Sequence, residues 1–408
     1  MPRARSTAVV AILALLLAAC GSPEGGAPLG EATERGGKEP TRGAANSENT
    51  QRTLAESETP PPEDPAEPDP EAASASAGPV EVETSVVATG LEAPWGLAFL
   101  PGGDALVTER DSSRLLRVSP SGSVREVGTL PAEGDGEGGL LGVAVSPTYD
   151  EDGLVYAYYT TAEDNRVARF RLDDIGGAEP VLTSIPSGPI HNGGRIAFGP
   201  DGLLYASTGE AGDMPISQDV GSLGGKILRV NPDGTIPADN PFPNSPVYSY
   251  GHRNVQGLAW DAGGGLYATE FGQNTFDEVN EIEAGGNYGW PEVEGTGGEP
   301  EFIDPISTWA TSEASPSGAT ILKDGAIPQW EGDFFMAGLR GQRLWRLDLD
   351  EEGNVAGREE LLSGEAGRLR HVAQAPDGSL WVLTNNRDGR GTPGPDDDRI
   401  LKLAPAQG

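Results

Sequence analysis

The sequence predicts an all-β fold, a six-bladed β-propeller built from four-stranded antiparallel blades. Residues 80–408 repeat a pair of short strands six times. Six copies over this length give about 55 residues per repeat, the size of a four-stranded blade. No long amphipathic helical pattern interrupts the repeats, and a pair of β-sandwiches would leave a pattern repeated six times unexplained.

Each repeat begins with a short apolar strand that follows a turn rich in Gly, Asp or Pro. After a loop comes a second strand in which polar and apolar residues alternate, the pattern of a half-buried antiparallel strand. The first strands are Asp104–Thr108, Gly153–Tyr158, Gly202–Thr208, Gly265–Thr269, Gly332–Ala337 and Gly378–Thr384. The second strands are Arg114–Val118, Arg166–Leu172, Lys226–Val230, Glu278–Ile282, Arg343–Leu347 and Arg399–Leu403.

The composition excludes several kinds of partner and site. The chain contains 28 Lys and Arg residues against 63 Asp and Glu residues, a formal charge of −35 at pH 7. Nucleic acid needs a basic face on its partner, so this charge speaks against it. The single cysteine excludes disulfides, Cys-ligated iron–sulfur clusters, zinc-thiolate sites and a C-x-x-C-H haem site. Three histidines leave little room for a multi-His metal site.

Residues 1–20 have the pattern of a lipoprotein signal peptide. Arg3 and Arg5 precede twelve apolar residues, 8–19, which are too few to span a bilayer of roughly 30 Å but suit a signal-peptide core. The run ends in Leu-Ala-Ala-Cys-Gly, which resembles the lipobox of bacterial lipoproteins. We therefore expect an extracytoplasmic protein that is anchored to a bacterial membrane through lipidated Cys20. The alternative is an ordinary secretory peptide with an incidental cysteine.

Residues 21–79 separate this signal from the repeats. They consist mostly of Gly, Pro, Glu, Ser, Ala and Thr, with too few apolar side chains to offset the entropy of ordering. We predict a disordered tether over residues 21–79, followed by one propeller domain over residues 80–408. Because propellers bind ligands on loops from several blades around a central channel, we expect the functional residues to be far apart in sequence.

The first candidate loop contains His191, in a Gly-rich stretch just before a strand. Glu210 follows that strand and the next one. A carboxylate one hairpin away suits an imidazole, because it would fix the tautomer and raise the basicity of the ring. A lone loop histidine is more often an incidental surface residue, and the pair by itself leaves both interpretations open.

Two further loops suit an oxygen-rich ligand and a cation. In residues 250–257, Arg253 and Asn254 suit the recognition of carboxylate or carbonyl oxygens, and the alternative is a polar turn that cross-links two blades. Gly272 and Gln273 lie among carboxylates and other glycines, where exposed backbone carbonyls suit a hard cation such as Ca²⁺. An acidic Gly-rich loop without a metal would have the same composition.

The fourth candidate is a group of cations near the C-terminus, Arg340, Arg368 and Arg370. Because side chains alternate along a strand, Arg368 and Arg370 are expected on the same face. In a domain this acidic, such a concentration of positive charge indicates an anionic ligand. Ordinary pairing with surface carboxylates is the alternative.

The order and the residue sequences of these loops resemble those of the pyrroloquinoline-quinone-dependent glucose/sorbosone dehydrogenase family, over roughly residues 85–408. The specific part is Gly-His-Arg-Asn at 251–254 followed by Gly-Asn-Tyr-Gly-Trp at 286–290, both after the His191 loop. The resemblance implies a six-bladed propeller, in agreement with the repeat count. It also implies a quinoprotein that oxidises aldose sugars at C1 to lactones by hydride transfer to pyrroloquinoline quinone (PQQ). Electrons would then pass to an external acceptor.

The resemblance also implies roles for individual residues. His191 looks like the general base of the family, and Glu210 stands where the family commonly has an Asp that orients this base. Arg253 matches the arginine beside the quinone carbonyl, and Asn254 matches a cofactor contact. Glu137 aligns with a polar position near the cofactor.

The metal ligands and the anion-binding cations are assigned in the same way. Gly272 and Gln273 match the two residues whose backbone carbonyls hold the catalytic Ca²⁺. Gln273 replaces a frequent Pro, and Phe271 replaces a polar residue of glucose dehydrogenases, but backbone ligation survives either change. The cations that would bind the carboxylates of the cofactor are Arg340, Arg368 and Arg370.

Two other functions remain open from the sequence. The fold also occurs in non-enzymatic binding proteins, so that a non-catalytic propeller on a lipid anchor is one alternative. A Ca²⁺-dependent propeller lactonase is the other, and it would need side-chain carboxylates as metal ligands in the channel.

Overall fold

The computed structural model describes residues 81–406, which form six four-stranded antiparallel sheets, the blades of a β-propeller. The predicted fold class is confirmed, and each strand named from the repeats is present. The predicted signal peptide, the tether and Cys20 lie outside the described residues. Within the described range, none of the helices combines the length and the apolar character needed to cross a membrane.

The strands are numbered in chain order. Blade 1 contains β2 (Pro94–Phe99), β3 (Ala105–Glu109), β4 (Arg114–Val118) and β5 (Val124–Thr129). Blade 2 contains β6 (Leu140–Val145), β7 (Leu154–Thr160), β8 (Asn165–Arg171) and β9 (Asp174–Ile185), with the one-turn helix α1 (Tyr149–Asp152) before β7. Blade 3 contains β10 (Ile196–Phe198), β11 (Leu204–Ser207), β12 (Lys226–Val230) and β13 (Val247–Tyr250).

The other three blades follow the same plan. Blade 4 contains β14 (Val255–Trp260), β15 (Leu266–Glu270), β16 (Phe276–Ile282) and β17 (Ser307–Ala310). Blade 5 contains β18 (Pro316–Ile321), β19 (Phe334–Gly338), β20 (Arg343–Leu349) and β21 (Val355–Leu361). Blade 6 contains β22 (Leu369–Gln374), β23 (Leu380–Thr384), β24 (Ile400–Pro405) and, from the start of the domain, β1 (Val82–Ala88). Short 3₁₀ turns cover Met214–Ser217 and Pro328–Trp330.

Blade 6 closes the ring by joining the two ends of the domain. β1 pairs antiparallel with β24, with Val82 opposite Pro405 and Val86 opposite Leu401. The first strand of the domain therefore supplies the outer strand of the last blade. This pairing covers an edge of β24 that would otherwise present unpaired backbone groups to solvent.

The hydrophobic core is divided among the blade interfaces. The buried apolar side chains of the described residues form six clusters, and each cluster joins the facing sides of two neighbouring blades. The cluster between blades 2 and 3, for example, includes Tyr156, Tyr158, Leu204 and Leu228. Each blade therefore depends on both neighbours for its burial, and the strand nearest the axis is held from two sides.

Hydroxyl side chains tie neighbouring blades together next to the channel. Thr108 Oγ1 of blade 1 donates a hydrogen bond to Leu141 O of blade 2 at 2.5 Å, and Thr269 Oγ1 of blade 4 donates to Ser317 O of blade 5 at 2.6 Å. The strands approach so closely there that a Cβ at Gly257 would lie 2.4 Å from Ser317 O. Glycine is therefore required at this position by the contact itself, and the innermost strands are fixed relative to one another.

We expect ring closure by β1 to stabilise the domain. A chain that begins at Gly90 should unfold with a free energy lower by roughly 2–5 kcal/mol than a chain that begins at Glu81, because each backbone hydrogen bond contributes about 0.5–1.5 kcal/mol net. Urea denaturation of the two chains, followed by tryptophan fluorescence, measures the difference. Equal midpoints and slopes would show that the pairing of β1 with β24 contributes nothing to stability.

Candidate active site

A cavity of about 430 Å³ lies where the loops of the blades converge at one end of the channel. Two kinds of segment form its walls: the segments that precede the innermost strands and the loops that follow the second strands. In an antiparallel blade, both lie at the same edge of the sheet. Nine of the ten predicted site residues in the described domain line this cavity. They are Glu137, His191, Arg253, Asn254, Gly272, Gln273, Arg340, Arg368 and Arg370.

The tenth residue, Glu210, lies behind His191. Its Oε1 is 2.6 Å from Nδ1 of His191, and its Oε2 accepts a hydrogen bond from the amide of Gly212 at 2.5 Å. The Glu210 side chain is only 1% exposed, so this contact is shielded from water. Because Nδ1 is engaged, Nε2 is the ring nitrogen left for a ligand in the cavity. The arrangement suits a histidine that accepts a proton while a carboxylate orients it.

The backbone of His191 has an unusual conformation. Its φ is 55°, in the left-handed region that residues with a side chain seldom adopt. Its carbonyl accepts a hydrogen bond from the amide of Ala211 at 3.0 Å, and its amide donates to Oε2 of Glu137 at 2.9 Å. A Cβ at Gly209 would lie 2.0 Å from the His191 carbonyl oxygen, so only glycine fits there. Neighbouring loops therefore hold both the ring and the backbone of this residue.

Positive charge is concentrated on the cavity wall. Six arginines line it, but only two carboxylates, those of Glu137 and Asp277. The arginines are Arg110, Arg253, Arg340, Arg368, Arg370 and Arg390. The wall therefore carries an excess of cations in a protein whose formal charge is −35. Such a wall favours an anionic ligand.

The buried arginines retain unused hydrogen-bond donors. Burial lowers the pKa of Arg370 to about 9; Asp388 opposes this effect, and Arg110 and Arg368 reinforce it. The guanidinium of Arg370 is still charged at neutral pH. The Nε atoms of Arg253 and Arg370 are buried and have no hydrogen-bond partner within residues 81–406. An acceptor from a ligand would satisfy donors of this kind, which are costly to leave unpaired.

The loop after β15 carries the predicted cation ligands. Four successive amides, those of residues 273–276, all donate to Oε1 of Glu294 at 2.7–3.1 Å, and the Gly272 amide donates to Oδ1 of Asp277 at 3.0 Å. A Cβ at Gly272 would lie 1.7 Å from a backbone oxygen four residues on, so the tight turn requires glycine. Burial raises the pKa of Asp277 to about 6.

No cluster of His, Cys, Asp and Glu within the described residues has the arrangement of a side-chain metal site. A hard cation at the loop after β15 would therefore depend on backbone oxygens, as the sequence predicts for Gly272 and Gln273. Both residues lie on the cavity wall, which places their peptide groups beside the arginines and His191.

For residues 250–257 the sequence left two interpretations open, a ligand-binding loop and a polar turn that cross-links blades. Each applies to part of the segment. His252 is fully buried, with Nδ1 2.8 Å from Glu270 and Nε2 2.8 Å from Ser249, and its ring stacks on Tyr288. It cross-links strands and does not reach the cavity. Its two successors in the chain line the cavity, and Asn254 also accepts a hydrogen bond from the Gly193 amide at 3.0 Å.

Several residues of the site were not singled out from the sequence. Asp388 binds Arg368 at 2.8 Å and lies 3.7 Å from Arg370. Gln256 accepts a hydrogen bond from Nη1 of Arg370 at 2.8 Å and lines the cavity. Trp95, on β2, also lines it. The partners of an arginine depend on loop conformation, which residue spacing alone does not reveal.

Two carboxylates are buried opposite each other on adjacent strands of blade 4. Glu270 on β15 and Glu278 on β16 are register partners, and both side chains are largely inaccessible to solvent. Burial, reinforced by the charge of Glu270, raises the pKa of Glu278 to about 8. The amides of Gly295 and Asn280 donate to Glu278 and oppose that shift. The native protein therefore retains a proton here at pH values where the unfolded chain has lost it.

Comparison with known proteins identifies relatives that cover most of the chain. The family model described as Glucose / Sorbosone dehydrogenase matches residues 91–393. The chain is 30% identical over 366 residues to aldose sugar dehydrogenase YliI of Escherichia coli, covering 81% of this chain and 94% of that protein. It is 28% identical to quinoprotein glucose dehydrogenase B of Acinetobacter calcoaceticus, covering 74% of this chain and 85% of that protein.

Solved structures agree with these matches. The PQQ-bound form of an aldose sugar dehydrogenase from Streptomyces coelicolor superposes with a TM-score of 0.75 at 53% identity. The alignment covers 80% of this chain and 99% of that one. A putative glucose dehydrogenase from Thermus thermophilus superposes with a TM-score of 0.72 at 44% identity, covering 79% of this chain and all of that one.

The buried Glu278 should make the stability of the protein fall as the pH rises. Its pKa is raised on folding from 4.5 to about 8, so its contribution is intact below pH 4.5 and is lost as the pH rises towards 8. Between pH 5 and pH 8.5, the wild type should lose on the order of 3 kcal/mol relative to Glu278→Gln, since one pKa unit is about 1.4 kcal/mol. Chemical denaturation at both pH values tests this, and parallel pH profiles would contradict it.

Proposed function

Because the chain belongs to the glucose/sorbosone dehydrogenase family, we propose that it oxidises aldose sugars at C1 to lactones, with PQQ as redox cofactor and Ca²⁺ bound beside it. The observation that carries the proposal is the cavity. It brings a histidine with an orienting carboxylate into the same space as a cluster of arginines that lack sufficient counter-charge. The first group suits proton abstraction, and the second suits a ligand with several negative charges.

The residues present fit a tricarboxylate cofactor. Arg340 is exposed and has no ion pair within residues 81–406, and Arg368 and Arg370 share the single carboxylate of Asp388. The unpartnered Nε of Arg370 is a further donor. These three cations would bind the carboxylates of PQQ, and Arg253 and Asn254 would contact its ring system. The PQQ-bound structure of a protein 53% identical to this chain supports PQQ as the ligand.

The backbone carbonyls of Gly272 and Gln273 would hold Ca²⁺. Carbonyl oxygens are suitable ligands for this hard cation, and a glycine-dependent turn can present two of them in succession. The carboxylate of Asp277, which binds the Gly272 amide, adds negative charge close by. Bound here, PQQ and Ca²⁺ would supply a two-electron acceptor whose carbonyl group is polarised by the metal ion.

The protein itself would move one proton. Nε2 of His191 accepts the proton of the hydroxyl group on C1, and that deprotonation makes C1 a better hydride donor. Glu210 holds the proton on Nδ1 and stabilises the positive charge that develops on the ring. Arg253, whose Nη1 also donates to Phe271 O at 3.1 Å, adds positive charge to the same wall.

The remaining parts of the proposal concern the partners of the enzyme. With one cysteine in the chain, there is no haem-attachment motif to accept electrons, so an external acceptor would receive them. We also propose that lipidated Cys20 anchors the protein on the outer side of a bacterial membrane. Mass spectrometry of the mature N-terminus tests this part, and an unmodified Cys20 would rule it out.

Reconstitution tests the function. The purified protein is mixed with PQQ and Ca²⁺, then with a panel of aldoses and an artificial redox dye. We expect saturable binding of PQQ and dye reduction that depends on both the sugar and Ca²⁺. Binding of PQQ without turnover would indicate a binding propeller. Neither binding nor turnover, with hydrolysis of lactones instead, would favour the lactonase alternative.

Replacing the base should abolish turnover without releasing the cofactor. In His191→Ala, kcat should fall by at least about 100-fold, because general-base catalysis contributes 10²–10⁴-fold, while the affinity for PQQ stays close to that of the wild type. Glu210→Gln should have a smaller effect, since Glu210 orients the ring and does not react. Steady-state kinetics and PQQ titration measure both. A larger loss in Glu210→Gln would make Glu210 the base or a metal ligand.

The arginines should determine cofactor affinity. Arg368→Met should weaken PQQ binding by about 10–150-fold, because a charge-assisted hydrogen bond contributes about 1.5–3 kcal/mol. The affinity for the sugar at saturating PQQ should change much less. Arg169→Met, which removes an arginine paired with Glu179 on the outside of blade 2, is the matched control. Unchanged PQQ binding with a lower melting temperature would mean that Arg368 only cross-links loops.

A further inference from the structure

The conformation of His191 requires support beyond its ring partner. The residue adopts a left-handed backbone with φ of 55°, which a side-chain-bearing residue keeps only where neighbours hold it. Glu210 binds the ring but does not contact the His191 amide, because that amide donates to Glu137. The direction in which the ring leaves the backbone depends on this second contact.

Glu137 is tied to the His191 loop at two points. Its own amide donates to Pro189 O at 3.0 Å, and its Oε2 accepts from the His191 amide at 2.9 Å. The preceding residue, Gly136, approaches Pro189 so closely that a Cβ there would lie 2.2 Å from the Pro189 carbonyl oxygen. The loop before β6 and the loop before β10 are thus joined directly next to the candidate base.

Arg390 holds the other oxygen of the same carboxylate. Its Nη2 is 2.8 Å from Oε1 of Glu137, and its side chain reaches the cavity rim with 62% of its surface exposed. Burial raises the pKa of Glu137, but the hydrogen bond from the His191 amide and the charge of Arg390 outweigh burial and hold it below its usual value. The carboxylate is therefore ionised, and its two oxygens can bind the His191 amide and the Arg390 guanidinium at once.

Asp388 anchors Arg390 in turn. Its Oδ1 accepts from the Arg390 amide at 2.9 Å, while its Oδ2 accepts from Nη2 of Arg368 at 2.8 Å. A continuous series of hydrogen bonds and one ion pair thus runs from Arg368 through Asp388, Arg390 and Glu137 to the backbone of His191. It connects blade 6 to the loop between blades 2 and 3 across the cavity rim.

We propose that Glu137 and Arg390 form a clamp that positions His191, and that Glu137 acts through the His191 backbone and not as a ligand of the cofactor. The proposal rests on the proposed function only where it assigns His191 as the base. Neither residue is a catalytic residue in this scheme, since neither touches the reacting atoms. Each is a positioning residue that keeps Nε2 directed into the cavity.

The first test measures the clamp itself, in the protein without cofactor or sugar. Amide hydrogen exchange of the segment 190–192 should be at least about threefold faster in Glu137→Gln and Arg390→Met than in the wild type, because both variants break the ion pair that holds the acceptor of the His191 amide in place. Exchange in β20 (Arg343–Leu349), in blade 5, should not change. Arg169→Met is the control for loss of a half-buried arginine from an ion pair outside the cavity. Unchanged exchange in 190–192 would overturn the proposal.

The second test measures catalysis at saturating PQQ and Ca²⁺. We expect kcat to fall by about tenfold or more in Glu137→Gln and by about 3–10-fold in Arg390→Met, since small displacements of a reacting group are costly. PQQ affinity should stay within about threefold of the wild type. The double variant should be no slower than Glu137→Gln alone, because the two side chains act as one unit. Arg390→Lys, which keeps the charge, should restore part of the loss.

The outcomes separate this proposal from the proposed function. PQQ affinity weakened tenfold in Glu137→Gln, with normal exchange in 190–192, would make Glu137 a cofactor contact and overturn the clamp. A wild type that binds no PQQ and oxidises no sugar would refute the proposed function. The exchange experiment would still decide whether Glu137 and Arg390 hold His191.

Discussion

The site depends on the close contact of the six innermost strands around one axis. These strands lie so near to each other that a side chain at Gly257 would collide with the next blade, and the hydroxyl group of Thr269 on the adjacent strand β15 donates a hydrogen bond to Ser317 O of that blade. Because the strands are fixed in this way, the loops at one end of the ring must converge. Residues separated by more than two hundred positions, such as Glu137 and Arg390, therefore meet in one ion pair.

This convergence also explains how an acidic protein presents a cationic cavity. The carboxylates are spread over the outer strands and turns, while arginines from blades 1, 5 and 6 and from the loops between blades point to the axis. Burial makes uncompensated cations expensive, and the pKa of Arg370 is lowered to about 9 as a result. An anionic ligand would relieve that cost. The packing of the ring therefore stabilises a site in which Asp388 balances only part of the positive charge.

The sequence was informative where a pattern is local and less so where it depends on loop geometry. Strand alternation and turn residues predicted all six blades, and the family motifs led to His191 and the arginines that share its cavity. The ion pair of Glu137 with Arg390 had no sequence signal, because nothing in either loop specifies how far its side chains reach. His252 shows the same limit. Its neighbour Arg253 lines the cavity, yet His252 itself is buried against Glu270.

The left-handed backbone at His191 shows why the supporting contacts matter for reactivity. A residue in this region is strained by about 1–3 kcal/mol and relaxes unless its surroundings prevent it. Here the ring is held by Glu210, the amide by Glu137 and the carbonyl by Ala211, so that no single bond determines the position of Nε2. Glu210 and Ala211 belong to one loop, but Glu137 comes from another and depends on Arg390 of blade 6. The orientation of the candidate base is therefore a property of the closed ring, and an isolated blade could not reproduce it.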